Sequence, residues 1–85
     1  MSFHLSAHAR HELQRRGIPR TMVEAVLAAP EQKVPEHGAI LCYQSRVTID
    51  EKLYLLRVMV DETKQPPVVV TVYRTSKIDK YWSQT

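Results

Sequence analysis

The 85-residue chain contains one cysteine, two glycines and one tryptophan. A lone thiol, Cys42, has no internal partner for a disulfide, so packing must hold the fold together. It lies in the apolar run AILCY, where it reads as a buried, inert thiol rather than a nucleophile. There is no glycine-rich phosphate loop, no GxSxG elbow and no HExxH pair. No apolar run approaches the about 20 residues that cross a bilayer. The opening MSFHLSAHARHE lacks the charged-then-apolar pattern of a signal peptide, so the expected location is cytoplasmic, with no membrane contact. Neither sign of charge dominates: 12 Lys and Arg against 9 Asp and Glu leave a net charge of +3. Low-complexity runs are also missing, which argues against long disordered tails.

What is present suffices for one domain, residues 1–85, near the lower end of the size range that folds without staples. Ser6 is a suitable N-cap for AHARHELQRR, and Gly17 can take the left-handed position that ends the helix. Thr21 and Glu24 spell a capping box. Val23, Val26 and Leu27 then form the apolar stripe of a second helix, which Pro30 stops. After the polar connector EQKVPEHG the pattern changes to strands: AILCYQSRVTI, KLYLLRVMV and VVVTVYR, with Asp50-Glu51 turning the first pair. Pro66-Pro67 mark a loop. SKIDKYWSQT reads as one helical turn capped by Ser76, with Trp82 anchoring the tail on the sheet. The expected fold is α+β: two N-terminal helices, a three- to four-stranded antiparallel sheet and a short C-terminal helical turn.

The ionisable residues are unevenly spread. Arg10, Arg15, Arg16 and Arg20 cluster near the start, and Arg74, Lys77 and Lys80 near the end. If the two ends meet in the fold, these cations form one patch. His8 and Glu12 lie one helical turn apart, which would let a carboxylate orient an imidazole suited to proton transfer. Solvated side chains paired along the helix are the competing reading. His4, His8 and His11 have ligand-like spacing, but Ser6 separates His4 from the helix and no further ligand pattern supports a metal. No metal and no cofactor are expected. Arg57 interrupts the apolar strand LYLLRVMV, where a guanidinium must find solvent, a carboxylate or a phosphate. On the last strand, Thr71, Tyr73 and Thr75 share one face. His, Arg, Lys, Tyr and hydroxyl groups together match metal-independent RNA cleavage: a base takes the 2′-hydroxyl proton, cations hold the phosphate and an acid protonates the leaving oxygen.

HARHELQRRGI, VEAVLAAP, LRVMVD and VVVTVYRTSKIDKYW, in that order, resemble the domain-of-unknown-function 4258 family over nearly the whole chain. The resemblance implies a relation to the barnase–colicin–RelE-like fold, home to ribonuclease toxins, with the site between the first helix and the exposed sheet face. Carried over by position, it points to His8, Arg16, Arg57, Thr71, Tyr73 and Arg74. The family has Arg where this chain has Glu12, and Glu where it has Arg15. A charge swap three residues apart suggests a helix-surface salt bridge at these positions.

These readings lead to three functional expectations. The first is a toxin-type RNA endonuclease with His8, Tyr73 and Thr75 as catalytic groups. Arg16, Arg57, Thr71, Arg74 and Lys77 would be its phosphate binders, and a cognate antitoxin or other acidic protein its partner. The second is a binding module that uses the same basic face, without chemistry, to hold RNA or an acidic partner. The third is a protein-interaction role through an unpaired sheet edge.

Overall fold

Chain direction is set early. His4–Leu5 form a two-residue strand, β1, and Ser6 then turns into helix α1 (Ala7–Arg16). The Ser6 backbone is extended, and its hydroxyl accepts the Ala9 N–H at 3.0 Å, satisfying a donor that the first helical turn leaves open. Gly17 closes the helix at φ 63°, the left-handed conformation that costs glycine little. Pro19 is the N-cap of helix α2 (Arg20–Ala28), with no side-chain cap bond. The capping box expected of Thr21 and Glu24 does not form. The helix already starts at Arg20, and Glu24 instead accepts from Arg20 Nε at 3.3 Å.

The strands that follow are β2 (Gln32–His37), β3 (Ile40–Ile49), β4 (Lys52–Asp61) and β5 (Val68–Thr75), and a one-turn helix α3 (Ile78–Tyr81) comes last. The structure is a computed structural model that describes residues 2–84. Asp50 and Glu51, at φ 51° and 67°, make the two-residue turn between β3 and β4. Both are left-handed, which matches the twist of a tight hairpin.

The sheet has five strands in the order β1-β5-β4-β3-β2, and it is mixed: β1 runs parallel to β5, while all other neighbours are antiparallel. The expected sheet of three to four antiparallel strands is corrected at both edges. β1 is too short to show a period. β2 contains Pro35 and charged residues, which make it look like a connector. An edge strand tolerates both, because one side of it pairs with nothing. The C-terminal turn is present, but its N-cap is Lys77, not Ser76. The Lys77 N–H goes to Thr75 Oγ1 at 3.1 Å.

Period two divides the sheet into two faces. Leu56, Val58 and Val60 of β4, Tyr43 of β3, and Val69 and Val72 of β5 point to one side, where they bury Ala9, Leu13, Ile18, Val23, Val26 and Leu27. α1 and α2 therefore cover this face, and the apolar core lies between the layers. The opposite face carries Cys42, Gln44, Arg57, Met59, Thr71 and Tyr73, as the strand register requires. No helix among the described residues is long and apolar enough to cross a membrane.

α1 buries one charge, Glu12. Arg15 grips its carboxylate with Nε and Nη2, both at 2.9 Å, and Arg16 Nε adds a third bond at 2.9 Å. Arg15 first, then Arg16, holds the Glu12 carboxyl down at about 2, against an ordinary value of 4.5. A depressed folded value contributes stability above the unfolded pKa and loses it as pH falls through the folded one. Wild type is therefore expected to exceed Glu12→Gln in denaturant midpoint at pH 7. The gap should close between pH 4.5 and about 2. A gap that stays constant across that range would contradict the assignment.

Candidate functional site

Arg57 is 4% exposed at the centre of the sheet face that the two long helices leave open. An arginine on β4 can be buried there only because its neighbours in register are polar. Gln32 pairs with Gln44, Gln44 with Arg57, and Arg57 with Tyr73, so one row of side chains crosses four strands. The row is hydrogen-bonded throughout. Gln44 Nε2 donates to Gln32 Oε1 at 2.8 Å, Arg57 Nε to Gln44 Oε1 at 2.9 Å, and Arg57 Nη1 to Tyr73 Oη at 2.6 Å. Glu36 supplies the counter-charge at 3.1 Å from Nη2. It reaches inward from the place where β2 shifts register between Pro35 and His37. That irregularity lets a carboxylate of an edge strand reach a guanidinium two strands away.

The chemistry of the row follows from burial. Loss of solvent acts to lower the Arg57 pKa, but the bond to Tyr73 and the nearby charge of Glu36 outweigh it, and the value stays raised. Burial pushes the Tyr73 hydroxyl up as well, with Arg57 opposing. Tyr73 is therefore held as a neutral phenol, suited to orienting a partner more than to releasing a proton. Cys42, fully buried beside Gln44, is pushed up to about 11, first by burial, and stays a thiol.

The C-terminal segment lies over the row. The Tyr81 ring sits 4.4 Å from the Arg57 guanidinium and meets Tyr73 edge-on at 6.4 Å. The Tyr81 carbonyl accepts from Gln44 Nε2 at 3.1 Å. Gln32 pairs twice with the Ser83 backbone, donating at 2.9 Å and accepting at 3.0 Å. Trp82 lies against the Arg46 guanidinium at 4.5 Å, which fits the expected anchoring role.

The residues singled out from the sequence fall into three groups. Arg57 and Tyr73 are in direct contact, and Thr71 and Thr75 share their face, opposite Met59 and Leu55. Arg74 faces the other way and stacks on Tyr54 at 4.8 Å, while Lys77 is exposed just beyond β5. His8 and Arg16 belong to α1, across the sheet from the row. The His8 side chain is exposed and makes no hydrogen bond among the described residues, and the Arg16 side chain is tied to Glu12. No histidine bonds to Arg57 or Tyr73 among the described residues. Gln32, Glu36 and Gln44 of the site, and Tyr81 of the segment that covers it, are the residues that sequence reasoning missed. Gln44, a lone amide within AILCYQ, carries the same signal as Arg57: a polar side chain where the period demands an apolar one.

Compared with known families, the chain matches the model described as "Domain of unknown function (DUF4258)" over residues 5–74. No curated protein and no solved structure matches it.

If the row holds the sheet as described, Arg57→Ala should cost about 3 kcal/mol or more, since it strands Gln44, Tyr73 and Glu36 together. Tyr73→Phe, which removes one acceptor from Arg57, should cost about 1–2 kcal/mol. Chemical denaturation of both variants checks the ranking, and an Arg57→Ala loss below about 0.5 kcal/mol, the ordinary range for surface substitutions, would contradict it.

Proposed function

We propose that this chain, which belongs to the DUF4258 family, is a small RNA-binding module. The observation that carries this reading is a group of cations at one end of the sheet that form no salt bridge among the described residues. Lys52 begins β4, Arg74 and Thr75 end β5, and Lys77 follows. The Leu55–Thr75 register brings these termini together. Tyr54 lies between two of the charges, with Lys52 Nζ at 5.5 Å and Arg74 at 4.8 Å from its ring. Most other cations are engaged: Arg15 and Arg16 with Glu12, Arg20 with Glu24, Lys33 with Glu62, Arg46 with Glu31 and Arg57 with Glu36. Unpaired cations around an aromatic ring suit a single strand, which offers phosphates and stackable bases together.

Asp50 and Glu51 in the adjoining turn limit the patch, so the electrostatic contribution should be modest. About three phosphate contacts imply a slope near −2 when log affinity is plotted against log salt. Lys52→Ala with Arg74→Ala should weaken binding and flatten the slope by about 1.4. Affinity for a short single-stranded RNA that does not respond to salt would contradict the reading.

RNA cleavage is the second reading, with the finer relation to the barnase–colicin–RelE-like ribonuclease fold. Its support is the Arg57–Tyr73 contact with Thr71 and Thr75 on the same face. His8 is remote from that group, so activity arising there should survive His8→Ala and be lost in Tyr73→Phe. Incubation with structured and messenger RNA checks this, and intact RNA after exposure to the folded wild type would dismiss it. An antitoxin or other acidic protein remains a partner proposal for the same cations.

A further inference from the structure

The segment over Arg57 is held differently from the rest of the fold. Residues 76–84 contain no buried side chain, and α3 is a single turn, far below the length at which a helix persists alone. It is attached through the amides of Gln32 and Gln44, the guanidiniums of Arg57 and the neighbouring Arg46, and the edge-on contact between the Tyr81 and Tyr73 rings. Lifting it breaks no strand pairing. The family match ends at position 74, so Gln32, Gln44, Arg57 and Tyr73 lie inside the matched region and their cover lies outside it.

What the segment presents to the row is specific. It places one flat ring on the face of Arg57, one oxygen on Gln44 Nε2, and one donor–acceptor pair on the Gln32 amide. These are the features of a nucleobase: a π-face, a carbonyl and an edge that both donates and accepts. Glutamine amides read such edges, and guanidiniums stack on such faces. The in-plane donors of Arg57 are already taken by Gln44, Tyr73 and Glu36. A phosphate would have to displace the Glu36 carboxylate, whereas a neutral ring needs only the open face. The chemistry beneath the segment therefore selects a base over an anion.

We infer that the C-terminal segment is a built-in stand-in for a nucleotide, and that lifting it opens a base-stacking subsite on Arg57 where Gln32 and Gln44 read the base edge. The inference rests on the RNA-binding reading and adds a second contact point on the opposite sheet face. Tyr81 is the competitor and not part of the binding machinery, so its removal should help the ligand. A ligand that binds only the open form is weakened by the fraction of molecules that are open.

Trp82 is the only tryptophan and lies within the segment, so its fluorescence reports directly on lifting. The probe is a short oligouridylate at low salt, added to the full chain and to Tyr81→Ala. Saturation of the wild type should increase acrylamide quenching of Trp82. Tyr81→Ala should bind roughly tenfold tighter, as expected when a segment closed about nine-tenths of the time is released. Binding with Trp82 quenching unchanged and equal affinities would overturn the subsite and leave the RNA-binding reading standing. Absence of binding by both proteins would overturn the two together.

Discussion

A guanidinium buried in the middle of a β-sheet constrains everything around it. Removing Arg57 from water is costly unless its donors are filled, and three side chains from three other strands fill them. Because side chains alternate across a strand, a one-residue slip of β4 would drive that charge into the apolar layer beneath α1 and α2. The hydrogen-bonded row from Gln32 to Tyr73 therefore specifies register across β2, β3, β4 and β5 at once. Apolar contacts on the other face provide most of the driving force, but they tolerate exchange among Val, Leu and Ile. The polar row does not.

This division of labour gives the two faces different prospects. The helix-covered face is a packed core, and on the α1 exterior Glu12 ties down Arg15 and Arg16. The open face pairs a rigid polar row with a thin cover held by hydrogen bonds, cation–aromatic contacts and the Tyr73–Tyr81 ring pair. Polar contacts of this kind exchange with water or with a ligand at small net cost. The proposed base subsite rests on this rigid platform beneath a replaceable cover, and the proposed phosphate contacts at Lys52, Arg74 and Lys77 add long-range attraction for a polyanion.

Much of the architecture was legible in the residues. Ser6 and Gly17 bracket α1 as their side-chain chemistry requires, and the two-residue turn at Asp50-Glu51 sits between strands of clear period. Arg57 stood out because it broke an apolar run. Its partners did not, because Gln32, Glu36 and Gln44 become neighbours only once strand register and the irregularity after Pro35 are known. The edge strands were hidden for opposite reasons: β1 is too short to show a pattern, and β2 carries the proline and charges that edges tolerate. His8 and Arg57 stand on opposite sides of the sheet, a separation that spacing along the chain does not encode. The Thr21 capping box failed locally, since Pro19 already offers a preset entry to α2.

The proposed nucleotide subsite on the Arg57 face, under its self-docked cover, has a spectroscopic reporter at its centre. The most direct measurement is the NMR signal of the Arg57 Nε–H, which is bonded to Gln44 and lies beneath the Tyr81 ring. In the free chain this proton should be protected from exchange, and saturation with a short single-stranded RNA should shift it as a base replaces the tyrosine. An Arg57 signal that stays in place while signals around Lys52 and Arg74 move would contradict the claim.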